Sequence, residues 1–145
     1  MNIKELLIES DAIQLGICET DWKAIINLAA APLIKNGYLE KTYSQSVIDS
    51  TNDNGAYYVF DEGIAIPHAR PECGVLKNCF SLVVLTNPVS FNGSVPADII
   101  ILFGAMDSNA HIEQGIGSIV TMLDDERKIN AIRNATSRQE LLEMI

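Results

Sequence analysis

Apolar positions recur along the chain at helical spacing in some stretches and at strand spacing in others, and the two kinds of stretch alternate. Residues 3–9 read as a short helix. Ile13, Leu15 and Ile17 alternate with Gln14 and Gly16, the period-two mark of a strand. Thr20 is a suitable N-cap for a helix to about Lys35, with Trp22, Ile25, Ile26 and Ala29 as its apolar stripe and Gly37 as its stop. Thr42 opens a second helix to about Ser50, with Tyr43, Val47 and Ile48 inward, and residues 52–55 read as a loop. Residues 57–60 predict a strand, Gly63 a break, and residues 64–66 a short apolar segment ended by Pro67, which has no N–H for pairing. The clearest strands are residues 80–85 and 98–103. The second is almost continuously apolar, so it is expected at the centre of a sheet covered on both faces. Residues 87–88 and 92–93 mark turns between them.

Asp107 or Ser108 is then expected to cap a helix with Ile112, Ile116, Ile119, Val120 and Leu123 on one side. Residues 124–134 predict a further helix. Ser137 and Glu140 have the spacing of a capping box, opening a last helix over residues 141–145. Strands interleaved with helices, with buried central strands, imply a layered α/β fold.

Composition narrows the picture. The 145 residues are enough for one domain, expected to span residues 1–145, with no biased tract or repeat of solenoid period. A formal net charge of −9 and the lack of any Lys/Arg cluster argue against a nucleic-acid binder, which needs cations to displace counterions from phosphates. No apolar h-region follows Met1, and no apolar stretch is long enough to cross a bilayer. Cys18, Cys73 and Cys79 are odd in number and form no C-x-x-C pair, so they read as free thiols in a reducing cytosol. No zinc-ligand spacing occurs, and no metal or cofactor is expected.

The informative chemistry is the placement of the two histidines. His68 follows an apolar strand-like segment directly after Pro67, and His111 lies on the turn into the helix after the central strand. In open α/β sheets functional groups collect at strand ends, so the two can meet at one edge. A neutral imidazole is a good nucleophile near neutral pH. On position alone a surface or capping histidine is the plainer reading of His68. His111, in a first helical turn, has free N–H groups and the positive dipole end beside it, which attract anions and favour a neutral ring; a histidine merely facing water is the plainer alternative. Arg70 can clamp a phosphate in two-pronged fashion, or simply pair with Glu72 or stand solvated in a loop. Asp61–Glu62 reads as a solvated turn, and Asp124, Asp125 and Glu126 suit a helix start. Trp22, Tyr57 and Tyr58 read as core. Walker, Rossmann and G-x-S-x-G motifs are absent.

The run Glu62-Gly63-Ile64-Ala65-Ile66-Pro67-His68-Ala69 resembles the active-site signature of the fructose/mannitol-type enzyme IIA of the bacterial phosphoenolpyruvate-dependent phosphotransferase system. The resemblance extends over nearly the whole chain, including Tyr57-Tyr58-Val59 and Ser108-Asn109-Ala110-His111. Within that family the chain resembles the ascorbate-type IIA branch, chiefly through Pro67-His68-Ala69-Arg70-Pro71-Glu72, then Gly74-Val75 and Phe91-Asn92. The resemblance implies a central mixed β-sheet flanked by helices on both faces. It implies a cytoplasmic phosphotransferase component, a phosphoryl carrier that accepts phosphate on His68 from the histidine-containing phosphocarrier protein. His68 would pass it to a cysteine of a cognate enzyme IIB, serving a membrane enzyme IIC, with ascorbate or a related sugar as cargo. It further implies a supporting role for His111 and phosphorylation at Nε2. Mannitol-type members carry an arginine upstream of the signature; residues 50–55 here have none, and Arg70 is hypothesised to supply the charge. The family tends to have a small residue where this chain has Asp61.

Two other classes compete. Some enzyme IIA relatives act as regulators that bind other proteins according to phosphorylation state. A small-molecule binding domain without covalent chemistry is the third reading, least compatible with the Pro67-His68 signature.

Overall fold

The computed structural model describes residues 2–107 and 110–145, the side chains of 110–112 excepted. Five strands form one sheet: β1 (Ile13–Ile17), β2 (Val59–Phe60), β3 (Ile64–Ala65), β4 (Cys79–Ser90) and β5 (Pro96–Gly104), in the order β1-β4-β5-β3-β2. β1 runs parallel to β4, β4 antiparallel to β5, β5 parallel to β3, and β3 antiparallel to β2. The sheet is therefore mixed, and β5 is its central strand. Residues 97–104 of β5 are all buried, the burial its unbroken apolar run requires. Six helices among the described residues pack against the sheet: α1 (Ile3–Ser10), α2 (Trp22–Lys35), α3 (Thr42–Asn54), α4 (Ala110–Met122), α5 (Glu126–Asn134) and α6 (Arg138–Met144). None is long and apolar enough to cross a membrane.

Several boundaries differ from the reading by pattern. Helix α2 is capped by Asp21, not Thr20: the Asp21 carboxylate accepts the Lys23 N–H at 3.1 Å. It runs to Lys35 as expected, through Pro32, whose missing N–H leaves the Leu28 carbonyl free; the Gln14 side chain donates to that carbonyl at 2.6 Å. Helix α3 does not end at Ser50 but includes residues 52–54, and Gly55 stops it at φ +79°. Buried Thr51 holds that last turn, donating to Val47 O at 2.8 Å and meeting the Tyr58 hydroxyl at 2.7 Å. Strand β4 runs through the expected turn at residues 87–88. Its register shifts between Val84 and Val89, and Pro88 sits in that irregular stretch, where no ladder donor is needed. The turn at Asn92 and Gly93 is present, both at positive φ.

Toward the C-terminus, the cap expected at Asp107 or Ser108 adjoins residues 108 and 109, outside the described residues. On α4, Ile119 and Met122 are buried, Ile116 and Leu123 half-buried, and Val120 is 61% exposed. Adjacent residues on a helix differ by about 100°, so Ile119 and Val120 cannot both face the sheet; Met122 takes the second inward place. Asp125 caps α5 and Ser137 caps α6, so the last helix starts at Arg138.

Candidate functional site

Strands β3 and β5 are parallel neighbours, so the segments that follow them leave the sheet at one edge. His68 lies there, three residues beyond the end of β3. The Phe103 N–H donates to Pro67 O at 3.3 Å and continues the pairing of β5 to the residue before His68. Helix α4 opens at Ala110, shortly after β5 ends at Gly104, and His111 stands in its first turn. The backbone thus brings both histidine-bearing segments to one edge; the His111 side chain lies outside the described residues.

The His68 ring is half-buried. It stacks on Phe103, with centroids 4.7 Å apart and planes 29° apart, and meets Tyr57 edge-on at 6.0 Å. Its Nδ1 lies 2.9 Å from Ile66 O. A carbonyl only accepts, so Nδ1 carries the hydrogen and the lone pair is left on Nε2. Burial lowers the ring's pKa from 6.5; the bond to Ile66, which strengthens in the cation, opposes this but is the smaller effect. The neutral, nucleophilic form therefore prevails at neutral pH.

His68 opens into a cleft of about 590 Å³. One wall is the face of α3 with Ser46, Asp49, Ser50, Asp53 and Asn54; the other includes Tyr57, Ala69, Arg70 and Cys73. Arg70 is exposed and makes none of the ion pairs among the described residues, so the alternative pairing with Glu72 is not formed. Among the described lining residues it is the one cation, facing a wall with two carboxylates.

Asp61 and Glu62 do not join the cleft. The Glu62 carbonyl accepts from Arg133 at 3.0 Å, and Arg133 also grips Asp98 through both Nε and Nη2. Gly63 sits against this pair at φ +84°, where a Cβ would lie 3.1 Å from Arg133 Nη2 and 3.2 Å from Asp98 Oδ1. The clamp fixes the turn that leads into β3.

Several site residues escape the pattern of the sequence. Tyr57, read as core, is 58% exposed at the rim, whereas Tyr58 is buried. Asp53 and Asn54 fall in the stretch that reads as a loop; the polar positions Ser46, Asp49, Ser50 and Asp53 keep helical spacing, which is the signal that extends α3 to them. Phe103 and Tyr43 read only as apolar or inward positions. Yet Phe103 supplies the surface His68 stacks on. The Tyr43 hydroxyl accepts the Ala69 N–H at 2.9 Å and donates to Phe103 O at 2.7 Å.

Comparison with known proteins shows the family. The family profile described as "Phosphoenolpyruvate-dependent sugar phosphotransferase system, EIIA 2" matches residues 6–145. The chain is 35% identical over 147 residues to the ascorbate-specific PTS system EIIA component of Shigella boydii serotype 4 (strain Sb227), spanning 100% of this chain and 96% of that one. Among solved structures it resembles a Streptococcus mutans protein assigned as a PTS IIA (PtxA), with TM-score 0.94 at 35% identity over 99% of this chain and 92% of the other. It also resembles the complex of enzyme IIA Mtl and phosphorylated enzyme IIB Mtl from Escherichia coli, with TM-score 0.81 at 30% identity over 92% and 93% of the respective chains.

Proposed function

The chain belongs to the EIIA 2 family of the phosphoenolpyruvate-dependent sugar phosphotransferase system and is a phosphoryl carrier of that system, and from that premise we propose that His68 takes up and hands on the phosphoryl group through Nε2. The donor is the histidine-containing phosphocarrier protein. The Nε2 lone pair attacks phosphorus, the donor's P–N bond breaks, and its imidazole leaves with the electron pair. In the second step a thiolate of a cognate enzyme IIB attacks the same phosphorus, forming P–S as P–Nε2 breaks. Nδ1–H stays on Ile66 O in both steps, so the ring needs no change of tautomer.

Supporting roles fall to Arg70 and His111. Arg70 holds the transferring oxygens electrostatically. His111, at a helix start, steadies the same charge. The chain functions as one type 2 EIIA domain over residues 1–145, in the cytoplasm, serving a membrane enzyme IIC. The partnership with enzyme IIB is supported by the resemblance to the mannitol-system complex. A cargo of ascorbate or a related sugar is supported by the 35% identity to the ascorbate-specific component.

The observation that carries this reading is the Nδ1 to Ile66 bond, which leaves a neutral nucleophilic Nε2 on a ring lining an open cleft. Reconstitution tests it. Phosphoenolpyruvate, enzyme I and the phosphocarrier should label wild type with an acid-labile, base-stable phosphate and leave His68→Ala unlabelled. His111→Ala should label slowly. Labelling of His68→Ala with loss in His111→Ala would reverse the assignment. Failure to discharge to any enzyme IIB, with tight binding to a regulator, would favour the signalling role instead.

A further inference from the structure

Both neighbours of His68 are tied to a single residue, Phe103. On one side the Phe103 N–H donates to Pro67 O at 3.3 Å. On the other, the link from Ala69 to Phe103 runs through one side-chain atom, the Tyr43 hydroxyl. That oxygen accepts the Ala69 N–H at 2.9 Å and sends its own hydrogen to Phe103 O at 2.7 Å, with Ala69 O at 3.3 Å as a second acceptor. The His68 ring then lies on the Phe103 ring. Backbone, hydroxyl and ring contacts thus close a loop of interactions around His68. Tyr43 itself is fully buried on α3, the helix whose polar face forms the opposite wall of the cleft.

We propose that Tyr43 is a positioning residue for phosphoryl transfer: its hydroxyl sets the backbone on either side of His68, keeps Nδ1 against Ile66 O, and fixes the distance from Nε2 to the α3 wall. The inference deepens the reading of His68 as phosphoryl acceptor and rests on it. The hydroxyl suits the task because it is both donor and acceptor, and the two backbone groups it joins need one of each. Burial raises its pKa, so it keeps its hydrogen at every working pH. The rigid ring, packed into the core, leaves it little freedom. A shift of about 1 Å at a reacting atom is enough to cost roughly a hundredfold in rate.

The test compares Tyr43→Phe with Tyr58→Phe. The second variant also removes a buried tyrosine hydroxyl, one bonded to Thr51 on the same helix, but it leaves the ties around His68 intact. Two readouts are followed: the ring nitrogen shifts of His68 by NMR, and the kinetics of labelling by the phosphocarrier. Tyr43→Phe is expected to replace the single Nδ1–H tautomer by a mixture. It should lower kcat about tenfold or more, leave KM for the phosphocarrier near wild type, and yield some Nδ1-linked phosphate. Tyr58→Phe should keep the wild-type tautomer, because the bonds around His68 remain. If Tyr43→Phe folds poorly, an amide-to-ester replacement at Ala69 deletes the same N–H with Tyr43 in place and is expected to give the same changes. A wild-type tautomer and kcat in the variant lacking the hydroxyl bond, or equal changes in Tyr58→Phe, would overturn the proposal. Because the tautomer is read without phosphate, it judges the positioning role even if wild type proved not to be labelled.

Discussion

The imidazole of His68 lies on the ring of Phe103, centroids 4.7 Å apart, and this contact helps decide in which form the histidine exists. Phe103 is fully buried and holds one face of the imidazole out of water. Desolvation penalises the cation, so the titration midpoint of His68 is expected below 6.5. Phe103→Leu removes the flat face and admits solvent, which should bring the midpoint back toward 6.5. NMR titration of the ring checks both; an unchanged midpoint in the variant would count against the stacking as cause.

The same shift makes stability depend on pH. Between the lowered native pKa and 6.5 the unfolded chain binds more protons at this site than the folded one. Stability from His68 is therefore fully present above about pH 6.5 and is lost as the pH falls through that window. Denaturant unfolding across the window should show a smaller acid loss in His68→Asn than in wild type, and labelling of wild type should decline over the same range.

Arg70 is the one cation among the described residues lining the cleft, so Arg70→Ala should slow labelling by about tenfold, as expected for losing one charge-assisted contact of about 1.4 kcal/mol. Arg70→Lys should recover part of the rate, since a point charge remains without the planar fork. Single-turnover labelling measures this; a wild-type rate for Arg70→Ala would remove it from the mechanism.

The clamp between Arg133 and Asp98 supports the turn before β3. Arg133→Leu leaves a largely buried carboxylate unpaired and should destabilise by roughly 2–3 kcal/mol, near the lower end for a buried pair because Arg133 keeps some solvent contact. Gly63→Ala combines a left-handed backbone with close approach to both partners and should cost about 1–2 kcal/mol. The double variant should lose less than the sum, because removing the guanidinium frees space at Gly63. Urea unfolding of the set decides it.

Gln14 completes α2 at Pro32. Gln14→Leu strips the Leu28 carbonyl of its donor and should cost about 1–2 kcal/mol by urea unfolding. In a Pro32→Ala background, where an ordinary helical N–H can take that carbonyl, the cost should shrink.

Local pattern determined much of this protein. The unbroken apolar run of β5 marked it as the central strand, and Pro67 ahead of His68 marked the end of a pairing segment, because burial on both faces and a missing N–H are written in residue type. Only the tertiary structure decided the rest. Helix α3 persists through residues that favour turns, with Thr51 bonded to Tyr58 from another part of the chain, and that persistence brings Asp53 and Asn54 to the cleft. Tyr43 showed in sequence only as an inward ring. Its hydroxyl gained a purpose when residues 26 and 60 positions further along the chain, Ala69 and Phe103, came within hydrogen-bonding distance. Contacts between residues so far apart leave no periodicity to read, since they depend on how the elements pack and not on the propensity of any one of them.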